Sequence, residues 1–289
     1  MKENDLASDS RLFIFSDGPK DNEKSREGVA KVREYISSVD GFASVDVIAR
    51  ESNYGCARNI VEGITQIVNE FGRVIVVEDD ILTSRYFLRY MNDALELYKD
   101  DNKAGAVSAY IQPMYVNKGL PQSFFSHDVG LWGWGTWQRV WKDYEFDAGI
   151  LLEKIRKAGL EEKFNYGLKL KPCTRELTSV AADGVDTWDF QVKGSLFLHG
   201  RYVLKPCKPF SNNIGFDGTG LHCGTTDYNK VNAVLAEEYT PLERIPVELN
   251  MLADKLYYRA MVRSYSIPYR TLRKIWRMVK SLVHKVSKS

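Results

Sequence analysis

The sequence predicts an α/β fold built on a mainly parallel sheet. Short β-branched and aromatic runs alternate with longer stretches of helical periodicity between Leu12 and Ser108. Each run stops at a cluster of polar or glycine residues. The most apolar run, Val74-Ile75-Val76-Val77, has no polar face, which is the pattern of a strand buried on both sides. Repeated strand–helix–strand units imply parallel pairing with right-handed crossovers.

Leu12-Phe13-Ile14-Phe15 is the first strand, broken by Ser16-Asp17-Gly18-Pro19. Residues 21–38 follow as a helix with Val29, Val32, Tyr35 and Ile36 on its apolar face. Residues 45–49 form a second strand. The next helix spans 56–71, with Ile60, Ile64, Ile67 and Val68 as its stripe. Residues 74–77 are the third strand, 85–98 a helix and 106–108 a fourth strand. The second half is less regular, with a Trp/Gly-rich loop over 131–137, a helix over 150–166, the pair Trp188-Asp189 and a Gly-rich loop over 212–224. Ligands of open α/β sheets bind beyond the carboxyl ends of the strands. Those ends carry Ser16-Asp17-Gly18, Arg50-Glu51-Ser52-Asn53 and Glu78-Asp79-Asp80.

A net charge of +2 over 289 residues hides an asymmetry. From Lys255 onward the chain has ten Lys or Arg and no Asp or Glu, so all 38 acids precede it. An acidic globule with a basic end argues against a nucleic-acid binder and for a local contact with an anionic surface. Cys56, Cys173, Cys207 and Cys223 form no C-x-x-C pair, so zinc is not expected and reduced thiols are. The polar start has no signal-peptide run, and no stretch approaches the roughly 20 apolar residues that span a bilayer. The expected location is cytoplasmic. In the tail, Leu272, Ile275, Trp276, Val279, Leu282, Val283 and Val286 keep helical spacing among Arg270, Arg273, Lys274, Arg277, Lys280, Lys285 and Lys288. A basic amphipathic helix of this kind suits peripheral attachment at the inner membrane face, through 268–289.

Adjacent acids at a strand end repel one another unless a positive charge offsets them. A hard divalent cation with oxygen ligands would do so at Glu78-Asp79-Asp80, and would also hold a pyrophosphate. In extended backbone Glu78 and Asp80 face one way and Asp79 the other. The competing reading is a solvated turn whose Asp residues cap the next helix. Indole faces suit the C–H faces of sugars, which makes Trp132 and Trp134 candidates for a sugar or acceptor platform, although rings in such a run also fill cores. The loop with Gly215, Gly218, Gly220, His222 and Gly224 could close over a ligand and exclude water.

These motifs together resemble a known family. "VIVVEDDILTSRYFLRYMNDALELY" is similar to the metal-binding segment of GT-A glycosyltransferases, nearest the N-acetylglucosaminyltransferase I group and its bacterial relatives, where EDD replaces D-x-D. "NYGCARNIVEGI" and "IFSDGPK" resemble segments of family 2 glycosyltransferases. With "GLWGWGTWQRVW", "TWDFQ" and "NNIGFDGTGLHCG", the resemblance runs in order from Arg11 to Gly224.

The resemblance implies a GT-A, Rossmann-like mixed sheet over residues 1–262, with a nucleotide-binding half at 11–110, an acceptor half at 111–262 and a basic tail at 263–289. It implies Asp80 as direct ligand of manganese, or magnesium. Glu78 and Asp79 would contact the transferred sugar and the ribose, and Asp17 would lie near the base, usually uracil. A turn-forming Asp before Gly is the other reading of Asp17. Asn53 and Gly55 would shape the nucleotide pocket, and His222 would touch pyrophosphate or metal. Arg50 and Arg58 are candidate pyrophosphate cations or plain surface ion pairs. Asp189, after Trp188, would be the base that takes the acceptor proton, its basicity raised by the indole, with Asp183 and Asp186 as rivals.

The implied activity is inverting, metal-dependent transfer from a UDP-sugar to a hydroxyl of a glycan or lipid-linked acceptor, as in polysaccharide biosynthesis. Relatives begin with another strand-and-helix unit before Leu12, so the expected sheet lacks its first strand. Two alternatives follow: a catalytically impaired carbohydrate- or nucleotide-binding relative, and a Mg-dependent phosphohydrolase, which would want a nucleophilic Asp after its first strand but lacks D-x-D-x-T at Asp17.

Overall fold

The structure is a computed structural model and describes residues 1–216 and 231–265. It is a mixed α/β fold. In chain order the strands are β1 (Arg11–Ser16), β2 (Ser44–Ala49), β3 (Arg73–Val76), β4 (Ile81–Thr83), β5 (Ala104–Ser108), β6 (Ser123–Ser126), β7 (Trp134–Trp137), β8 (Tyr202–Pro206) and β9 (Ser211–Asn213). The described helices are α1 (Glu23–Ile36), α2 (Cys56–Phe71), α3 (Phe87–Leu97), α4 (Gln138–Trp141), α5 (Ala148–Lys157), α6 (Glu161–Phe164), α7 (Pro172–Asp183), α8 (Asp189–Leu198) and α9 (Met251–Tyr265).

The helices and strands expected between Leu12 and Ser108 form within a few residues of their expected ends, but the sheet is not mainly parallel. The central sheet has the order β3-β7-β5-β8-β6, and only β5 and β8 pair in parallel within it. The cause lies in the segment read as a Trp/Gly-rich loop. Its second part, β7, enters antiparallel between β3 and β5 and is buried throughout. Gly135 permits this insertion, because a Cβ there would lie 2.7 Å from the Val74 carbonyl oxygen. β1 and β2 pair in parallel as a separate sheet, with no backbone hydrogen bond to β3 among the described residues. β3 is mostly half-buried rather than covered on both faces, while β5 is buried throughout.

Two further expectations are corrected. The apolar face of α1 is not Val29-Val32-Tyr35-Ile36, since Val32 is 54% and Tyr35 72% exposed. The inward face runs instead through Val29, Arg33 and Ile36. Arg33 ties the ends of β1 and β2 together, donating to Ser16 Oγ (3.3 Å), the Asp17 carbonyl (3.2 Å) and the Arg50 carbonyl (2.6 Å). The helix expected over 150–166 is two helices, α5 and α6, separated at Gly159, whose φ of 69° ends the first in the left-handed region.

The main core draws on both expected halves, joining α2 and α3 with β5, β7 and β8. A second cluster joins α5, α7 and the inner face of α9. α9 continues past the expected boundary at 262, and Tyr265 donates to Glu176 Oε1 at 3.2 Å. The tail from 268 lies outside the described residues. No described helix is long and apolar enough to cross a membrane. Cys56, Cys173 and Cys207 are free thiols.

One buried ion pair holds the floor of the sheet. Lys205 on β8 is fully buried, with Nζ 3.1 Å from Asp128 Oδ2 and 3.0 Å from Gln112 Oε1. Burial pulls its ammonium below the ordinary lysine range, against the pull of Asp128. Removing one partner strands the other charge. Lys205→Met is expected to cost about 3 kcal/mol in chemical denaturation, with part recovered in Asp128→Asn/Lys205→Met.

Candidate functional site

The candidate site lies where β3 ends and α8 begins. Glu78, Asp79 and Asp80 leave β3 in sequence and lead into β4, which pairs with β9 (Ile81 opposite Asn213). That pairing fixes Asp80: its Oδ2 accepts from Asn213 Nδ2 at 3.1 Å, and its carbonyl accepts from Ile214 N at 2.9 Å. Gly215 is required beside it, since a Cβ there would sit 2.3 Å from Asp80 Oδ2.

Asp189 comes from far along the chain as the first residue of α8. Its Oδ1 accepts from Thr187 Oγ1 (2.5 Å) and Phe190 N (2.9 Å), which orients the carboxylate. The two segments meet. The Glu78 carboxyl is pushed up to about 7, first by burial and then by the negative charges of Asp80, Asp189 and Asp79. Asp80 is raised as well, chiefly by burial, with Asp79 adding to the rise and Asn213 opposing it. Cys56, at the start of α2, faces the same charges. Burial first, then Glu78, Asp186, Asp189 and Asp79, push its thiol up to about 12. The charges of Asp80, Asp189 and Asp79 thus act on Glu78, and those of Glu78, Asp186, Asp189 and Asp79 act on Cys56 at the amino end of α2.

The loop before α2 is held by two carboxylates. Asp17 accepts from Gly18 N (2.8 Å), Tyr54 N (2.8 Å), Gly55 N (3.0 Å) and Asn53 Nδ2 (2.9 Å). Four donors occupy its oxygens, so Asp17 shapes the loop as the turn reading has it. Asn53 also donates to the Gly18 carbonyl at 2.9 Å, locking strand end to strand end. Asp186 accepts from Cys56 N (2.8 Å) and Ala57 N (2.9 Å), capping α2 from across the chain. Gly55 makes room for that cap: its φ is 79°, and a Cβ would lie 2.7 Å from Asp186 Oδ2. Of the rivals to Asp189, Asp186 is thus engaged as a cap and Asp183 is the exposed last residue of α7.

The aromatic expectations divide. Trp134 is 1% exposed and stacks on Trp188 (5.5 Å, 17°), so it belongs to the core and is not a sugar platform. Its burial follows from its place on β7 in mid-sheet. The same stack turns the Trp188 indole inward, where it anchors the start of α8. Trp132 is half-buried on the loop before β7, 4.5 Å from Tyr110 and 5.5 Å from Phe216, with its carbonyl accepting from Ser211 Oγ. It stays a candidate platform beside the Asp80 segment. Arg50 and Arg58 both pair with Glu62 and lie over the two faces or edges of Tyr54 at 4.9 and 4.1 Å, which fits the ion-pair reading.

His222 lies outside the described residues. The chain on either side of it is closed at its base next to Asp80: Asn213 N donates to Asn232 Oδ1 (3.0 Å), Asn232 Nδ2 to the Asn213 carbonyl (2.6 Å) and Asn212 Nδ2 to the Ala233 carbonyl (2.7 Å). Asn213, Asn232 and Asp186 were not singled out for these roles from sequence. Asn213 lies within "NNIGF", but side-chain amides that meet 19 residues apart leave no spacing signal.

The carboxylates offer the hard oxygen donors that Mg²⁺ or Mn²⁺ takes. No described group of three or more His, Cys, Asp or Glu side chains is arranged around a common point as ligands. One or two carboxylates, completed by substrate phosphates and water, is the usual arrangement for magnesium at nucleotide sites. The chain matches no protein-family model and no curated protein.

The rise at Glu78 has a signed consequence. Its carboxyl moves from 4.5 in the ordinary state to about 7 in the fold, so ionisation is easier in the unfolded chain. Stability contributed by the protonated form is present below about 4.5 and is lost as pH rises through about 7. Glu78→Gln is therefore expected to stabilise the protein by about 1–2 kcal/mol at pH 8 and by little at pH 5, measured by thermal unfolding at both pH values.

Proposed function

We propose that the chain is a metal-dependent glycosyltransferase of GT-A type that moves a sugar from a nucleotide-sugar, most simply a UDP-sugar, to an acceptor hydroxyl with inversion. The observation that carries this reading is that the charge of Asp189, from the later half of the chain, acts on the buried Glu78 together with the charges of Asp80 and Asp79. The ordered motif resemblance and the mixed α/β architecture support it.

In this reading Asp80, braced by Asn213 and Gly215, would hold a divalent cation, whose charge would favour departure of the nucleoside diphosphate. Glu78 and Asp79 face the sugar and ribose. The loop fixed by Asp17, Asn53 and Gly55 borders the nucleotide. Asp189 accepts the proton of the attacking hydroxyl as the new bond forms at C1. Trp132 offers its ring to a sugar face. The acceptor is a glycan or lipid-linked glycan, and the cytoplasm, where UDP-sugars are made, is the proposed setting.

A second reading, a relative that binds donor or glycan without turnover, is favoured by the separation of β1–β2 from the central sheet. Calorimetry with UDP and manganese followed by a turnover assay distinguishes the two, since binding without turnover supports the second. The phosphohydrolase reading is disfavoured, because Asp17 spends its oxygens on four donors.

A donor screen with manganese tests the first reading. Asp189→Asn is expected to lower kcat about 100- to 10,000-fold with little change in donor KM. Asp80→Ala is expected to abolish the stimulation by manganese. Wild-type turnover in both variants would remove these roles.

A further inference from the structure

The exposed face of α9 is not explained by the proposed chemistry. Its inner face, Ala253, Tyr257 and Met261, packs into the second core, and Asp254 turns toward His127 (3.7 Å). The outer face carries Met251, Leu252, Lys255, Tyr258, Arg259, Val262 and Arg263. Apolar and basic side chains alternate along it. Met251 is 75% exposed, and Leu252 and Tyr258 are each 42% exposed. Lys255 and Arg259 make no ion pair among the described residues. Asp254 is the helix's only acid, and it is on the docked side.

Exposed aliphatic groups and a tyrosine between cations do not match a duplex or an acidic peptide, which would reward the charges alone. They match the interface of a bilayer: apolar side chains enter the boundary, tyrosine sits at headgroup level and cations meet lipid phosphates. The sequence continues in the same character. Beyond α9 lie Arg270, Arg273, Lys274, Arg277, Lys280, Lys285 and Lys288, with Trp276 and further aliphatic residues and no acid.

We propose that the outer face of α9, which precedes the basic run at 268–289 in the sequence, is a membrane-docking surface for anionic lipid. This surface does not depend on the transferase reading. Each cation near an anionic bilayer contributes about 1 kcal/mol. Losing two should therefore weaken binding about thirtyfold.

The test is co-sedimentation of the full chain with vesicles of phosphatidylcholine alone and of an equimolar mixture with phosphatidylglycerol. Wild type should sediment with the mixed vesicles and stay in solution with the neutral ones. Lys255→Gln/Arg259→Gln should bind the mixed vesicles about thirtyfold more weakly, and Tyr258→Ser/Val262→Ser should also lose affinity. Both variants should keep the wild-type unfolding temperature, since none of these side chains enters the core. Unchanged binding by both variants would overturn the assignment of α9, as would equal binding of wild type to neutral vesicles. Sugar-transfer activity in solution is read separately and does not bear on the outcome.

Discussion

The architecture depends on a repulsion. The Glu78 carboxyl rises to about 7, first through burial and then through the negative charges of Asp80, Asp189 and Asp79. A fold gains nothing in stability from such an arrangement. Two of the carboxylates are held by local contacts: Asp80 by Asn213 and the β4–β9 ladder, and Asp189 by Thr187 and the Trp188–Trp134 stack. A cation would offset the concentrated charge, which is how the proposed function connects to the fold.

The supporting parts fix the backbone at the ends of β1 and β2 and at the start of α2. Arg33 clamps the ends of β1 and β2, Asp17 organises the loop that follows, and Asp186 caps α2 across the chain. β7 enters between β3 and β5 on glycines, carrying Trp134 into the core and leaving Trp132 beside the Asp80 segment. These segments are therefore held by long-range side-chain contacts onto backbone groups, and a substitution at Arg33 or Asp186 would act through the positions of residues it does not touch.

Much of the first half was legible because its signals are local. Helix α2 ends where its apolar stripe and Gly72 say it should, and the acidic turn follows the β-branched run directly. The second half was not, because its order is set by partners distant in sequence. Nothing local marks Trp134 to Trp137 as a central strand, since glycine and tryptophan in alternation read as a loop until β3 and β5 are placed on either side. Periodicity misjudged α1 for a related reason: Val32 and Tyr35 look like a stripe, whereas the contact that matters is made by a charged residue, Arg33. The site itself was half legible. Its acids stand out in the sequence, while the brace that Asn213 gives Asp80, the closure of Asn232 on Asn213 and the cap that Asp186 places on α2 do not.

The central claim is that a cation at the tip of β3 joins this protein to a sugar diphosphate. Isothermal titration of a UDP-sugar into the full chain, with manganese and then with EDTA in excess, tests it most directly. The account predicts saturable binding at one site per chain with manganese and none with EDTA. Equal binding under both conditions, or heat from neither, would contradict it.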